Sequence, residues 1–325
     1  MQATRAEITE QGGPEVIAFV TGEIGEPGPG EVLVEHSAIG LNFIDTYHRG
    51  GLYPVSLPSG LGMEAAGRVI AIGDGVADFH EGDRVAYMGP GVGAYATHRV
   101  MPADALFKLP DAIPDETAAA AILKAATVEA LVERCARVQA GETVLVHAAA
   151  GGVGQIMAQW LKAIGAHVIG TVSSEAKAAL ARDAGCDHIV RYDHEDIAAR
   201  VRDITGGTGV PTVFDGVGKD TFIASLDSLS PRGLLVSFGN ASGAVEGVNL
   251  GLLAQKGSQF VTRPTLFHYY TTPEERTAGM ARVWDMIASG KVRVNVGQTY
   301  RLTDAAQAHR DLEARRTTGS TVLLP

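Results

Sequence analysis

Cysteine is scarce: the 325 residues hold two, Cys135 and Cys186. That excludes a disulfide framework or a four-cysteine metal knot and leaves two small core or surface thiols. Long apolar runs are absent too, since no stretch approaches the ~20 residues needed to span a bilayer. The opening residues, MQATRAEITEQGGPE, carry no apolar segment of the secretory kind, so the expected compartment is the cytoplasm. Basic charge is in deficit: 27 Lys and Arg stand against 37 Asp and Glu, a net charge of −10. With no basic run either, nucleic acid is a poor partner. What remains is ordinary for a soluble chain with a real core, 46% apolar and 20% charged. The length suits about two domains.

The most informative stretch is ETVLVHAAAGGVGQIMAQWLKAIGAHVIGTVSSEAK. Thr143 to His147 reads as a short β-branched strand. Val153, Ile156, Met157, Trp160, Leu161 and Ile164 then recur at helical spacing, and His167 to Val172 reads as a second strand. The turn between fits A-x-G-x-x-G, with Ala149, Gly151 and Gly154 in the small positions. Small residues there allow a tight turn and close backbone approach to a diphosphate, and the helix start (Gly152, Val153, Gly154) aims free N–H groups at the anion. A bare glycine pattern is weak, but strand, turn and helix in this order define a dinucleotide-binding unit.

Residues 1–124 are rich in glycine and short β-branched runs, with EVLVEHSAIG, AAGRVIAIG and DRVAYM as strands, and are expected to form a mostly β domain. From 125 to 265 strands at 143–147, 167–172, 188–191, 212–215 and 233–238 alternate with helices, predicting a doubly wound parallel sheet. Thr272, Pro273 and Glu275 then form a capping box opening a helix that stops at Gly290. A last helix and a closing strand follow, and 266–325 is expected to return to the first domain.

The segment GLGMEAAGRVIAIGDGV, Gly62 to Val76, resembles the G-H-E-x-x-G-x5-G-x-x-V signature of the medium-chain dehydrogenase/reductase superfamily. Gly62, Glu64, Gly67, Gly73 and Val76 match, and Met63 replaces the histidine. LNFIDTYHRGGLYP, HAAAGGVG and VSFGNASGAV are similar to its quinone oxidoreductase, zeta-crystallin-like branch. The resemblance runs essentially end to end. It implies an α/β fold: a GroES-like, mostly β catalytic domain plus a Rossmann domain that binds NADPH.

In the zinc-binding members of that superfamily two cysteines and a histidine hold the metal. Here the resemblance puts Asn42, Met63 and a residue near Leu123 at those positions. A thioether and an amide do not replace imidazole and thiolate for Zn²⁺. The four-cysteine lobe of a structural zinc is missing as well, and the ten histidines do not pair at ligand spacing. His147 is expected to be a hydrogen-bonded core residue. The expectation is a zinc-free enzyme. Alcohol oxidation in this superfamily needs a Lewis acid, so the expected chemistry is reduction of electrophiles that accept hydride directly.

Asn42, Asp45, Tyr47 and Tyr53 fall in one loop and are the candidate catalytic set. The resemblance puts Asn42 and Tyr53 at the reaction centre, whereas Asp45 and Tyr47 fit loop bracing as well as function. Lys124 and Thr127, at the expected domain junction, correspond to contacts with the nicotinamide ribose and carboxamide, a solvated salt bridge being the alternative for Lys124. Phe238 and Asn240 in SFGN would face the cofactor, with a plain β-turn as the alternative. Arg263 fits either the same site or an edge-strand charge. An NAD site normally keeps a carboxylate ~20 residues past the glycine turn. Ser173 stands there, with Lys177 one helical turn on and Tyr192 ending the next strand, which predicts NADPH. Glu175 could instead point back at the ribose. Arg315 matches the arginine that reaches the 2′-phosphate, with Arg316 one residue away.

These readings predict an NADPH-dependent quinone reductase. The alternatives are an NADPH-dependent enal, enone or enoyl-thioester reductase and, from a different class, an RNA-binding or structural nucleotide-binding protein, which the acidic balance disfavours. GSQFVTRPTL, Gly257 to Leu266, reads as a strand late in the alternation, at a sheet edge that needs a partner. The resemblance implies that this edge pairs two copies in a homodimer.

Overall fold

In the computed structural model, which describes residues 1–89 and 91–325, the chain divides into two compact units, 1–124 with 294–325, and 125–293.

The first unit is built on the long strand Glu31–Leu41, whose Val32, Val34, Ile39 and Leu41 side chains are buried. It pairs antiparallel with Glu64–Ile72, His98–Pro102 and Ser320–Leu324. Among the described residues the sheet has seven strands, with Val296–Arg301 at one end and Leu106–Lys108 at the other. A separate hairpin-like pair joins Gln2–Glu7 to Ala18–Glu23. Ile8, Leu61, Val69, Val85, Tyr87, Tyr95 and Leu323 fill the core. The expected strands 31–40, 65–73 and 83–88 fall within one or two residues of the observed ones.

The second unit holds a six-stranded parallel sheet in the order His188–Arg191, His167–Val172, Thr143–Val146, Val210–Asp215, Leu229–Ser237, Phe260–Thr262. In chain order that is 3-2-1-4-5-6, the doubly wound Rossmann arrangement, whose ligand position lies where the strand order reverses. That point is the C-terminal end of Thr143–Val146, from which the small-residue turn departs. Leu145, Ile169, Val213 and Leu235 are fully buried on the sheet.

This unit runs on to Arg293, past the boundary at 265 read from the sequence. The helix Pro273–Ala288 is tied into it by polar contacts no local pattern announces: Arg282 Nε donates to Glu133 Oε1 at 2.9 Å, and just ahead of the helix Tyr270 donates its hydroxyl to Glu129 Oε2 at 3.0 Å. Its capping box is formed as read, with Thr272 Oγ1 accepting from Glu275 N at 3.2 Å and Glu275 Oε2 accepting from Thr272 N at 3.1 Å.

Candidate active site

The first unit gathers its polar candidates around Glu64, at the start of the strand Glu64–Ile72. The carboxylate is fully buried. Its Oε1 accepts from Asn42 Nδ2 at 2.7 Å and Lys124 Nζ at 2.9 Å, and its Oε2 from the Leu123 backbone N–H at 2.7 Å. Gly40, on the neighbouring strand, makes the space: a Cβ there would run into the Glu64 carboxylate and the Ala119 carbonyl. The Lys124 salt bridge is therefore buried, not solvated. Breaking such a buried pair by removing one partner would leave an uncompensated charge in the core.

Asn42 also caps the helix Phe43–Gly50, where its N–H donates to Asp45 Oδ2 at 2.9 Å. Asp45 is buried, and that burial drives its carboxyl up to about 7; the Asn42 and Tyr95 hydrogen bonds oppose the shift. Tyr47 and Tyr53 lie beyond it, half-buried, with ring centroids 5.3 Å apart edge to face, and Tyr53 N–H donates to the Tyr47 carbonyl at 3.1 Å. The stretch expected as one loop is largely this helix: Asn42 caps it, Asp45 and Tyr47 lie on it and Tyr53 follows it, while Lys124 is joined to Asn42 through Glu64. Sequence reading had passed over Glu64 as one letter of a signature. Tyr95, which donates to Asp45, and His309, which bonds Tyr95, carried no local signal at all.

The donor set at the zinc positions does not fit the metal. Asn42 turns its NH₂ toward Glu64, Met63 offers a buried thioether, and Leu123 offers only a backbone N–H. Among the described residues no group of three or more His, Cys, Asp or Glu is placed to hold a metal ion. His147 is a buried core residue, 3.1 Å from Thr171 Oγ1 and 3.0 Å from Ser225 Oγ through its two ring nitrogens.

In the second unit the small-residue turn leaves Val146 through Ala148, which takes a left-handed φ of 51°. Ala149 N–H donates to Thr171 O at 3.1 Å, and Gly151 N–H to Ala148 O at 2.9 Å, before the helix Gly152–Ala163 begins. A Cβ on Gly154 would collide with the Ala148 carbonyl and Ala149, so only glycine lets the helix seat this close. The N–H groups of Gly152, Val153 and Gly154 form the first turn, where a helix has no earlier carbonyls to bond. That arrangement fits a diphosphate.

At the end of the strand His167–Val172, Ser173 is half-buried and Lys177 N–H bonds the Ser174 cap at 3.4 Å. Tyr192 sits beside them, since its N–H donates to the Val172 carbonyl at 3.2 Å. Glu175 is turned elsewhere: its Oε1 accepts from Arg182 at 2.9 Å and its Oε2 from Arg191 at 3.1 Å. The ribose reading of Glu175 thus competes with two guanidiniums. Thr127 is half-buried on the helix Asp115–Glu129. Phe238 and Asn240 are half-buried past the strand Leu229–Ser237, and Phe238 N–H bonds Asp215 O at 2.8 Å. Arg263 bonds the Gly239 carbonyl at 2.9 Å and both oxygens of Ser237 at 3.2 Å, which braces that turn. In the first unit Arg315 is exposed with φ 58° after the helix Ala305–Glu313, whereas Arg316 donates to Asp311 Oδ1 at 3.1 Å.

Residues 28–111 match the alcohol dehydrogenase GroES-like domain and residues 152–280 the zinc-binding dehydrogenase domain. Sheet order, dinucleotide turn and the Glu64 signature together are those of a medium-chain dehydrogenase/reductase. The chain is 53% identical to a quinone oxidoreductase of Pseudomonas aeruginosa over 99% of its own length and all of the relative's. A solved quinone oxidoreductase of Escherichia coli, complexed with NADPH, superposes with a TM-score of 0.97 at 50% identity, covering 99% of this chain and 100% of that one. A 2-haloacrylate reductase of a Burkholderia species is 43% identical, over 98% of each chain. The chain belongs to the quinone oxidoreductase branch of the superfamily.

Proposed function

We propose that this protein is an NADPH-dependent quinone oxidoreductase that works without zinc, in the cytoplasm and as a homodimer. The observation that carries the reading is the Glu64 cluster, in which Asn42, at a position where metal-dependent relatives keep a ligand, and the buried Lys124 ammonium bond the same carboxylate. A site of this kind can polarise an acceptor that takes hydride directly but cannot ionise an alcohol as a Lewis acid does. When bound, NADPH supplies the hydride. The protein's own residues then bind, orient and hydrogen-bond.

Ala149, Gly151, Gly152, Val153 and Gly154 hold the diphosphate; Ser173, Lys177 and Tyr192 take the 2′-phosphate. The family resemblance assigns Arg315 to the same phosphate, with Arg316 one residue away. Thr127, Phe238 and Asn240 line the nicotinamide part, with Lys124 contributing its charge. Asn42 and Tyr53 donate hydrogen bonds to the acceptor oxygen as it gains charge, and the Tyr47 and Tyr53 rings suit a flat acceptor. The dimer is supported by the edge strand Phe260–Thr262, where Phe260 is 60% exposed and Val261 39%. The reducing compartment is supported by two cysteines that stay free.

NADPH oxidation with 1,4-benzoquinone, 1,2-naphthoquinone, a 2-alkenal and a 2-haloacrylate as parallel acceptors tests the reading. Quinones should be reduced fastest, with NADH a poor donor and activity unchanged by chelators. Faster reduction of the alkenal or haloacrylate would move the protein to the carbon–carbon double-bond reductases. Chelator-sensitive activity with one zinc per chain would sink the metal-free mechanism.

A further inference from the structure

A line of hydrogen bonds runs through the first unit from the exposed Glu313 to the buried Asp45. Arg49 Nη2 donates to Glu313 Oε1 at 2.6 Å, and Arg49 Nη1 lies 2.9 Å from His309 Nδ1. His309 Nε2 is 3.0 Å from the Tyr95 hydroxyl, which donates to Asp45 Oδ2 at 3.0 Å. Arg49, His309, Tyr95 and Asp45 are each less than 5% exposed. Three separate stretches of sequence are needed to assemble them.

Chemistry fixes the direction of every bond. A guanidinium only donates, so His309 Nδ1 accepts and carries no proton. Burial, with the Arg49 charge beside it, holds the ring neutral by pushing His309 down to about 3. Its one proton is then on Nε2 and points at the Tyr95 oxygen. Tyr95 in turn gives its own proton to Asp45 Oδ2, which also accepts Asn42 N–H. Oδ2 is thus occupied by two donors. Oδ1 is buried and has no hydrogen-bond partner among the described residues. A proton on Asp45 therefore belongs on Oδ1.

We propose that the Arg49–His309–Tyr95 chain is a positioning device that keeps Asp45 Oδ2 as an acceptor and its exchangeable proton on Oδ1, making Asp45 the proton source for quinone reduction. The proposal rests on the quinone reading above. Hydride transfer to a quinone leaves a quinol anion. An O–H bond forms on that anion as the Asp45 Oδ1–H bond breaks, which requires acceptor binding to open the buried Oδ1, and the Asp45 carboxylate regains its proton from water once the product leaves. The groups facing Asp45 set where this proton is lost. Burial and the Glu64 charge favour the neutral acid, whereas Lys124, Tyr95 and the Asn42 N–H favour the carboxylate.

The test is the pH profile of kcat at saturating NADPH and quinone, in wild type and in Tyr95→Phe, His309→Leu, His309→Gln and Asp45→Asn. Wild-type kcat should fall as pH rises through neutrality. Tyr95→Phe removes a donor to the carboxylate, so the fall should move up by about one pH unit. His309→Leu should move it the same way. His309→Gln can still accept from Arg49 and donate to Tyr95, and should keep the wild-type profile, while Asp45→Asn should abolish the fall. A ¹³C-carboxyl NMR titration of Asp45 in the cofactor-free protein reads the same shift without turnover, so it stands even if quinones prove not to be the substrate. An Asp45 titration unmoved in Tyr95→Phe, or a pH fall that persists in Asp45→Asn, would overturn the proposal. Should His309→Leu not fold, Tyr95→Phe, which lacks only a hydroxyl, carries the test alone.

Discussion

Arg191 and Glu175 are joined by a 3.1 Å ion pair, and the same guanidinium holds Asp193 at 2.8 Å, so two acidic side chains near the expected 2′-phosphate position are paired with a cation. Arg182 takes the other carboxylate oxygen of Glu175. The hydrogen bond from Arg182, with its charge and then Arg191, holds the Glu175 carboxyl below the usual carboxylate range. The carboxylate stays ionised, yet turned toward its own cations. An adjacent phosphate thus meets less repulsion than the sequence alone implies.

Cofactor selectivity should follow from this pair. Lys177→Ala is expected to weaken NADPH roughly ten- to a hundredfold, the value of one charge-assisted contact, and to leave NADH nearly unchanged. Arg191→Gln frees one Glu175 oxygen while Arg182 keeps the other, and should weaken NADPH by a smaller factor, about threefold, because exposed charges are screened. Adding Glu175→Gln to that variant should restore most of the loss. Fluorescence titration with both nucleotides reads all three effects. Equal losses for NADH and NADPH in Lys177→Ala would remove Lys177 from the phosphate site.

Glu64→Gln should be costly to the fold. It leaves the Lys124 ammonium buried with no opposing charge, a change typically worth about 3–5 kcal/mol. The double variant Glu64→Gln, Lys124→Met removes the stranded charge and should recover much of that stability. Urea midpoints of the two variants decide the matter, and a single variant as stable as wild type would mean that solvent reaches Lys124.

Acid should destabilise the protein well above the carboxylate range. Burial lowers His36 to about 4 and His309 to about 3, from 6.5 in the unfolded chain. Their contributions are present above pH 6.5 and are lost as pH falls. Asp45 acts oppositely: raised from 3.8 to about 7, it favours the folded state at low pH and loses that contribution as pH rises. Between those limits unfolding takes up two protons at the histidines and releases one at Asp45. Stability should therefore drop by about 1.4 kcal/mol per pH unit on acidification. His48 and His147, also lowered by burial, add to the same trend. Urea midpoints across this range measure the slope, which Asp45→Asn should steepen. A flat profile would mean that these histidines are protonated in the folded state.

What could be read in advance was what the chain encodes locally. The Rossmann strands were legible because β-branched runs and helical spacing repeat within tens of residues, and the turn at Ala149–Gly154 because backbone sterics admit few residues there. Ser173 and Lys177 were visible as a missing carboxylate at a fixed distance. Glu64 was visible only as a conserved-looking letter in a signature, since its partners are 22 to 60 residues away. Tyr95 and His309 stand 214 residues apart, and no periodicity links them. The helix Pro273–Ala288 was recognised as a helix from its cap but assigned to the wrong unit, because its allegiance is decided by Glu129 and Glu133 rather than by its own sequence.

A positive charge written into the polypeptide differs in kind from one that must be acquired. Lys124 arrives at Glu64 as the chain folds, in a fixed ratio of one to one and with no dependence on the cell's zinc supply. Starvation for metal, or chelation by a competing protein, has nothing to withdraw from this cluster. The corresponding limitation is that an ammonium offers charge and N–H donors but no Lewis acidity, so the chemistry open to the site is set at translation.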